Sequence, residues 1–134
     1  MIKRGQTGIE YVIIMGFVTF AVMSVLVLAY FYSDNIKDQI KLNQVESFAA
    51  QLINSAESVY FAGEPSETTV SLYLPEGVKS IEIISNNLII TTSTSSGENK
   101  RAFTSRVPLE GAISQGEGMK KLVIKAEVDH VSIS

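Results

Sequence analysis

From Tyr11 to Tyr32 the chain is apolar almost without a break, and only Gly16, Thr19 and Ser24 interrupt it. Twenty-two residues at the helical rise reach about 33 Å, enough to cross a hydrocarbon core of roughly 30 Å. The run outlasts the ~7 to 15 apolar residues of a secretory signal, and it closes on Tyr30-Phe31-Tyr32 instead of a small-residue cleavage site. Aromatic residues there suit a membrane interface, so the segment is expected to stay in the mature protein. Lys3 and Arg4 precede it, whereas Asp34 to Lys41 balances two acids against two bases. The positive-inside rule then predicts a single pass with the N-terminus cytoplasmic and everything after Tyr32 outside.

The residue that needs explaining is Glu10, a lone carboxylate just ahead of the apolar run. On membrane grounds alone it can lie hydrated at headgroup level beside Lys3 and Arg4. Inside a bilayer or an apolar bundle it would need a partner. The order Arg4-Gly5-Gln6-Thr7-Gly8-Ile9-Glu10, followed by the apolar run, resembles the class III signal peptide of archaeal type IV pilin-like proteins. Two positions depart from the usual pattern: Gly8 stands where Ser is common, and Ile14 where Leu is common.

That resemblance implies a membrane prepilin peptidase that reads Lys3 and Arg4 and cuts between Gly5 and Gln6 on the cytoplasmic side. Gln6 becomes the first mature residue and Glu10 the fifth. An assembly ATPase and membrane platform would then extract the subunit from the membrane into a homopolymer held by its N-terminal helices, a surface filament for attachment. In the family picture the acid at Glu10 meets the new α-amino group of Gln6 on an adjacent subunit, which selects the axial stagger. Cyclisation of Gln6 to pyroglutamate would remove that charge. Two other readings share the topology: an uncleaved single-pass anchor displaying a β-sheet binding module, and a minor pilin-like component of a secretion or assembly system.

Past the membrane the helical pattern continues. Leu42, Val45, Ala49, Leu52, Ala56 and Val59 recur three and four apart, with Phe48, Ile53 and Tyr60 widening the stripe. No proline occurs before Pro65, so one helix is expected from Gln6 to about Phe61, roughly 80 Å of rod. Its outer half needs a covering surface, and the chain's own β domain is the candidate; a coiled coil with a second copy would be under three heptads long. Gly63-Glu64-Pro65-Ser66 ends the helix.

Beyond it the composition turns to Thr, Ser and β-branched residues. Strands are predicted at Thr69–Leu74, Val78–Ser85, Leu88–Thr92, Arg101–Val107, around Leu122 to Val128, and a short last one at Val131 to Ile133. A Pro75-Glu76-Gly77 turn and a hairpin across Asn86-Asn87 would join the first three. Ser93 to Lys100 reads as a polar loop, Pro108 to Gly118 as the longest loop, and Asp129-His130 as a turn or bulge. The fold class is therefore α+β: a leader at 1–5, a helix at 6–62 (11–32 apolar on all faces, 33–62 amphipathic) and an extracellular antiparallel sheet or sandwich at 63–134.

Little in the sequence points to chemistry. The chain carries 11 basic and 14 acidic residues, a formal charge of −3, and loss of Lys3 and Arg4 would make it −5. A nucleic-acid binder needs the opposite sign. With no cysteine there is neither a disulfide framework nor a thiolate site. The single histidine, His130, sits beside Asp129 and near serines without a triad order, and no metal-ligand spacing surrounds it. Gly116-Glu117-Gly118 lacks the strand-before, helix-after setting of a phosphate loop, and Lys120-Lys121 reads as a solvated strand start. No Asn-x-Ser/Thr sequon is present. No enzyme activity, metal or cofactor is expected.

Overall fold

A computed structural model describes residues 2–134, with side-chain surroundings from Gly5 onward. It divides into two compact units, Met1–Lys37 and Asp38–Ser134. Helix α1, Ile2–Ala62, contributes to both, and seven strands follow it, so the class is α+β. The strands are β1 (Glu67–Leu74), β2 (Val78–Ile84), β3 (Asn87–Thr94), β4 (Gly97–Thr104), β5 (Leu109–Gly111), β6 (Gly118–Ala126) and β7 (Val131–Ile133). They form a four-stranded sheet in the order β1-β6-β7-β5 and a three-stranded meander β2-β3-β4.

Within the second unit, the stripe read from the sequence is the wall of the core. Val45, Phe48, Ala49, Leu52, Ile53, Ala56 and Val59 are all buried. All of these but Ile53 join Leu72 and Leu74 of β1, Leu88 and Ile90 of β3, Leu122 and Ile124 of β6 and Val131 and Ile133 of β7, so one core serves both sheets and the helix. Burying a large aliphatic side chain is worth about 1.5–3 kcal/mol, and a head of this size has few such residues without the helix. The helix stops where expected: Gly63 takes a positive φ of 86° and its N–H bonds the Tyr60 carbonyl at 3.1 Å, a conformation that favours glycine.

Several expectations are corrected. Strand β4 begins at Gly97, so Ser93 to Lys100 is a hairpin and not a polar loop. Glu98 and Lys100 are exposed, and a strand whose outward residues are charged looks like a loop in composition. The β2-β3 turn lies one residue earlier than expected, at Ser85-Asn86, with Ser85 at a φ of 54°. That register brings Leu88 and Ile90 inward; a slip of one residue would turn them out. Val128 is exposed rather than part of the inward row, because β6 ends at Ala126 and residues 127–130 turn the chain toward β7.

The long loop from Pro108 to Gly118 contains β5, which pairs with β7 in parallel, so the four-stranded sheet is not wholly antiparallel. Gly111 makes that pairing possible. Its φ is 138°, and a Cβ there would lie 2.0 Å from the Ile133 carbonyl oxygen.

Polar ties hold the helix against the β2-β3-β4 side. Asp38 accepts hydrogen bonds from the Ser95 hydroxyl and, at 3.0 Å, from the Ser95 N–H. Lys41 pairs with Glu76 at 3.6 Å and Glu46 with Arg101 at 3.4 Å. Glu57 accepts the Arg106 N–H at 2.9 Å, which satisfies backbone that has just left β4.

Candidate functional site

The candidate site is the helical first unit itself. Residues 11–32 are rich in β-branched and aromatic side chains that are middling helix formers in water, but with no proline among them and an apolar setting to bury them, a helix is the form that satisfies every backbone N–H and C=O within the segment itself. Every large apolar side chain from Ile9 to Tyr32 is exposed, Phe17 at 73% and Tyr30 at 73% among them. Among the described residues this is the one helix long and apolar enough to cross a membrane.

The interrupting hydroxyls do not make that surface polar. Thr19 donates to the Met15 carbonyl and Ser24 to the Phe20 carbonyl, both at 2.8 Å, so their hydrogen-bonding demand is met inside the helix. At Gly16 the helix face has a shallow notch bounded by Val12, Met15, Thr19 and Phe20. A flat apolar surface with its polar groups internally satisfied suits lipid tails, and equally the side of another such helix.

Gly5, Gln6 and Glu10 all lie on exposed helix. Gln6 and Glu10 are one turn apart on the same face, with about 6 Å of rise between them. Among the described residues the Glu10 carboxylate makes no hydrogen bond or ion pair, so its hydrogen-bonding capacity is open to water or to another molecule. The Gly5–Gln6 bond is helical here. The side chains of Lys3 and Arg4, expected to mark the leader, lie outside the described residues.

The other candidates do not assemble into sites. His130 is not joined to Asp129 and a serine; its Nε2 faces Glu110 Oε2 at 3.4 Å, and Glu110 is an exposed residue of β5. Sequence reading missed that partner because Glu110 lies in what looked like a loop. Gly118 opens β6, and Lys120 donates to Ser114 at 2.9 Å. Among the described residues no group of three His, Cys, Asp or Glu side chains converges as metal ligands.

Two carboxylates are perturbed, both on the second unit. The Ser95 hydroxyl, and then the Ser95 N–H, hold Asp38 below the usual carboxylate range. Lys79 does the same for Glu98 by hydrogen bond and charge. Both carboxylates tie elements of the second unit together, Asp38 to Ser95 and Glu98 to Lys79.

Comparisons with protein-family models, with curated proteins and with solved structures return no match.

Proposed function

We propose that this chain is a structural subunit of an archaeal type IV pilus-like surface filament, a membrane precursor cleaved between Gly5 and Gln6 and polymerised through its N-terminal helix. The observation that supports the reading is a helix whose apolar surface has no cover within its own unit, headed by the exposed carboxylate of Glu10. Lipid covers such a surface before assembly and neighbouring helices cover it afterwards. On this reading the second unit sits outside the cell, and the peptidase, the assembly ATPase and the membrane platform are transient partners.

Glu10 gives the polymer its register. A carboxylate among packed apolar helices is tolerated when paired, and removing one member of a buried pair costs about 3–5 kcal/mol. Cleavage creates an α-amino group at Gln6, and each Glu10 meets that group on a neighbouring subunit. Glu10→Ala is therefore cleaved and inserted normally but absent from the filaments sheared off cells, while Glu10→Asp retains partial assembly. Normal amounts of Glu10→Ala in sheared filaments would contradict the pairing.

A further inference from the structure

The two sheets of the second unit have four edges, and three of them are protected against pairing with another strand. Strand β5 is three residues long. Strand β2 carries Lys79 and Glu82 and a register shift between Val78 and Ser80. Strand β4 carries Glu98, Lys100 and Arg101. Short length, irregularity and charge are the usual means by which an edge avoids adding a strand. Strand β1, with the sequence ETTVSLYL, has none of them: it is eight residues long, regular in register, free of proline, and charged only at Glu67.

The register shows which backbone groups that edge offers. Ala126 N–H bonds the Ser66 carbonyl, so the pairs 66:126, 68:124, 70:122, 72:120 and 74:118 exchange the ladder hydrogen bonds with β6. The N–H and C=O groups of Glu67, Thr69, Ser71 and Tyr73 therefore point away from β6. Their side chains are exposed, while Leu72 and Leu74 face the core.

A helix face without charge runs beside this edge. Gln44, Ser47 and Gln51 line a cleft with Phe48, Leu72 and Tyr73, and Asn54 and Ser58 line a second cleft with Val59, Ala62, Ser66, Glu67 and Thr68. The five polar helix residues are spaced three and four apart, so they form one stripe, and β1 runs opposite to the helix alongside it. Edge and stripe together contain one charged side chain, Glu67.

We propose that β1 is a self-pairing edge, on which a second copy of this chain adds its own β1 antiparallel about a two-fold axis at Val70. Of the registers open to the outward groups, this one uses all four, with Glu67 opposite Tyr73 of the second copy and Thr69 opposite Ser71. Like charges do not meet: the two Glu67 side chains stand about 20 Å apart along the strands, and each carboxylate faces a phenol hydroxyl. The helix stripes, neutral and rich in hydroxyls and amides, meet each other without leaving a charge unpaired. An unrelated extended peptide could use the same backbone groups, but on the helix side it would have to match a stripe without charge, which the stripe of a second copy supplies; on the outer face Lys121 and Lys125 of β6 lie one strand back from the edge.

The two-fold axis sets the helical segments 38–62 of the two copies antiparallel. Successive subunits of one polar filament are related by a screw rotation and not by a local two-fold, so they do not form this contact. On the function proposed above it joins copies in neighbouring filaments, although the pairing uses the second unit alone and does not depend on cleavage at Gly5.

The chain has no cysteine, so introduced ones report without background. Full-length Thr69→Cys and Ser71→Cys chains are purified separately in detergent micelles, then exposed to a mild oxidant alone and as a 1:1 mixture. Directly opposed residues on paired strands have Cβ atoms about 4.5–5.5 Å apart and diagonal ones roughly 7–8 Å. The mixture should give several-fold more disulfide-linked dimer than either variant alone, and a Lys100→Cys with Ala102→Cys mixture on β4 should give none. Tyr73→Pro removes an outward N–H, and with it the phenol that faces Glu67 of the second copy, but no donor to β6, so adding it to both cysteine variants should leave the β1-β6 ladder intact, read as unchanged hydrogen exchange at the β6 amides, while lowering the cross-link several-fold. Excess wild-type chain should compete the cross-link away, and the same chain with Thr69→Lys and Ser71→Lys should not. A mixture no more cross-linked than the single variants or the β4 control would overturn the proposal. So would a cross-link formed by the thiol at position 69 in the membranes of the cells that make the chain, oxidised before purification, to a different polypeptide in place of the second copy.

Discussion

Leu52 is the residue on which the union of helix and sheets can be weighed. Its side chain is 0% exposed and sits mid-stripe between Phe48, Ala49 and Ala56, all of which face the same core. Replacing it by alanine removes three carbons and leaves a cavity that helix and sheets cannot both move to fill. Such substitutions cost about 2–5 kcal/mol. For a unit of this size each kcal/mol shifts the melting temperature by about 4–8 °C, so a loss near 3 kcal/mol corresponds to roughly 10–25 °C. The comparison is Gln51→Ala, one residue away on the exposed side, where the loss is a single hydrogen bond to Ser47 and the expected change is within about 0.5 kcal/mol. Full-length chains in micelles would be followed by hydrogen exchange at β3 and β6 amides, since helical signal from the long apolar segment masks the head in circular dichroism. Equal effects of Leu52→Ala and Gln51→Ala would refute the claim that the helix stripe is part of the head's core.

Three further outcomes follow from individual contacts. Gly111→Ala places a Cβ against the Ile133 carbonyl and should cost about 2 kcal/mol or more, read as early exchange of the β7 amides while β2-β3-β4 stays protected. Asp38→Asn tests the tie to Ser95. Because the folded carboxyl is held below its ordinary value, its contribution is present above about pH 4 and lost as pH falls through the folded value. Wild type should therefore melt higher than Asp38→Asn at neutral pH, with the gap closing in acid; a gap that is constant down to about pH 2 would contradict it. Lys79→Ala, which breaks an exposed pair with Glu98, should change the melting temperature hardly at all, because water and salt screen a surface ion pair.

What the sequence made legible is what has a short period. The apolar run, the stripe from Val45 to Val59, and the alternations Val70-Leu72-Leu74 and Leu122-Ile124-Ala126 each repeat within a turn or a dipeptide, so local pattern was enough. Strand β4 was missed at its start because Glu98 and Lys100 face water and its neighbours Asn99 and Arg101 are polar as well. Strand β5 is too short to alternate, and its parallel partner β7 is distant in sequence. The ties from Asp38 to Ser95 and from Glu57 to Arg106 span 57 and 49 residues and leave no trace in either local sequence. At the candidate site the reverse holds: Gly5, Gln6 and Glu10 are a local motif, read directly from order and spacing, and the structure adds their exposure and the helical state of the bond between Gly5 and Gln6.

Prepilin-type processing, on which the filament reading rests, is tested most directly by the intact mass and amino terminus of the native protein, taken from its own membranes and from the sheared surface fraction. A chain that starts at Gln6, free or cyclised, is expected in both fractions. A chain still starting at Met1 in cells with an active prepilin peptidase would contradict it, leaving Glu10 an ordinary interfacial acid and the protein a membrane anchor for its β head.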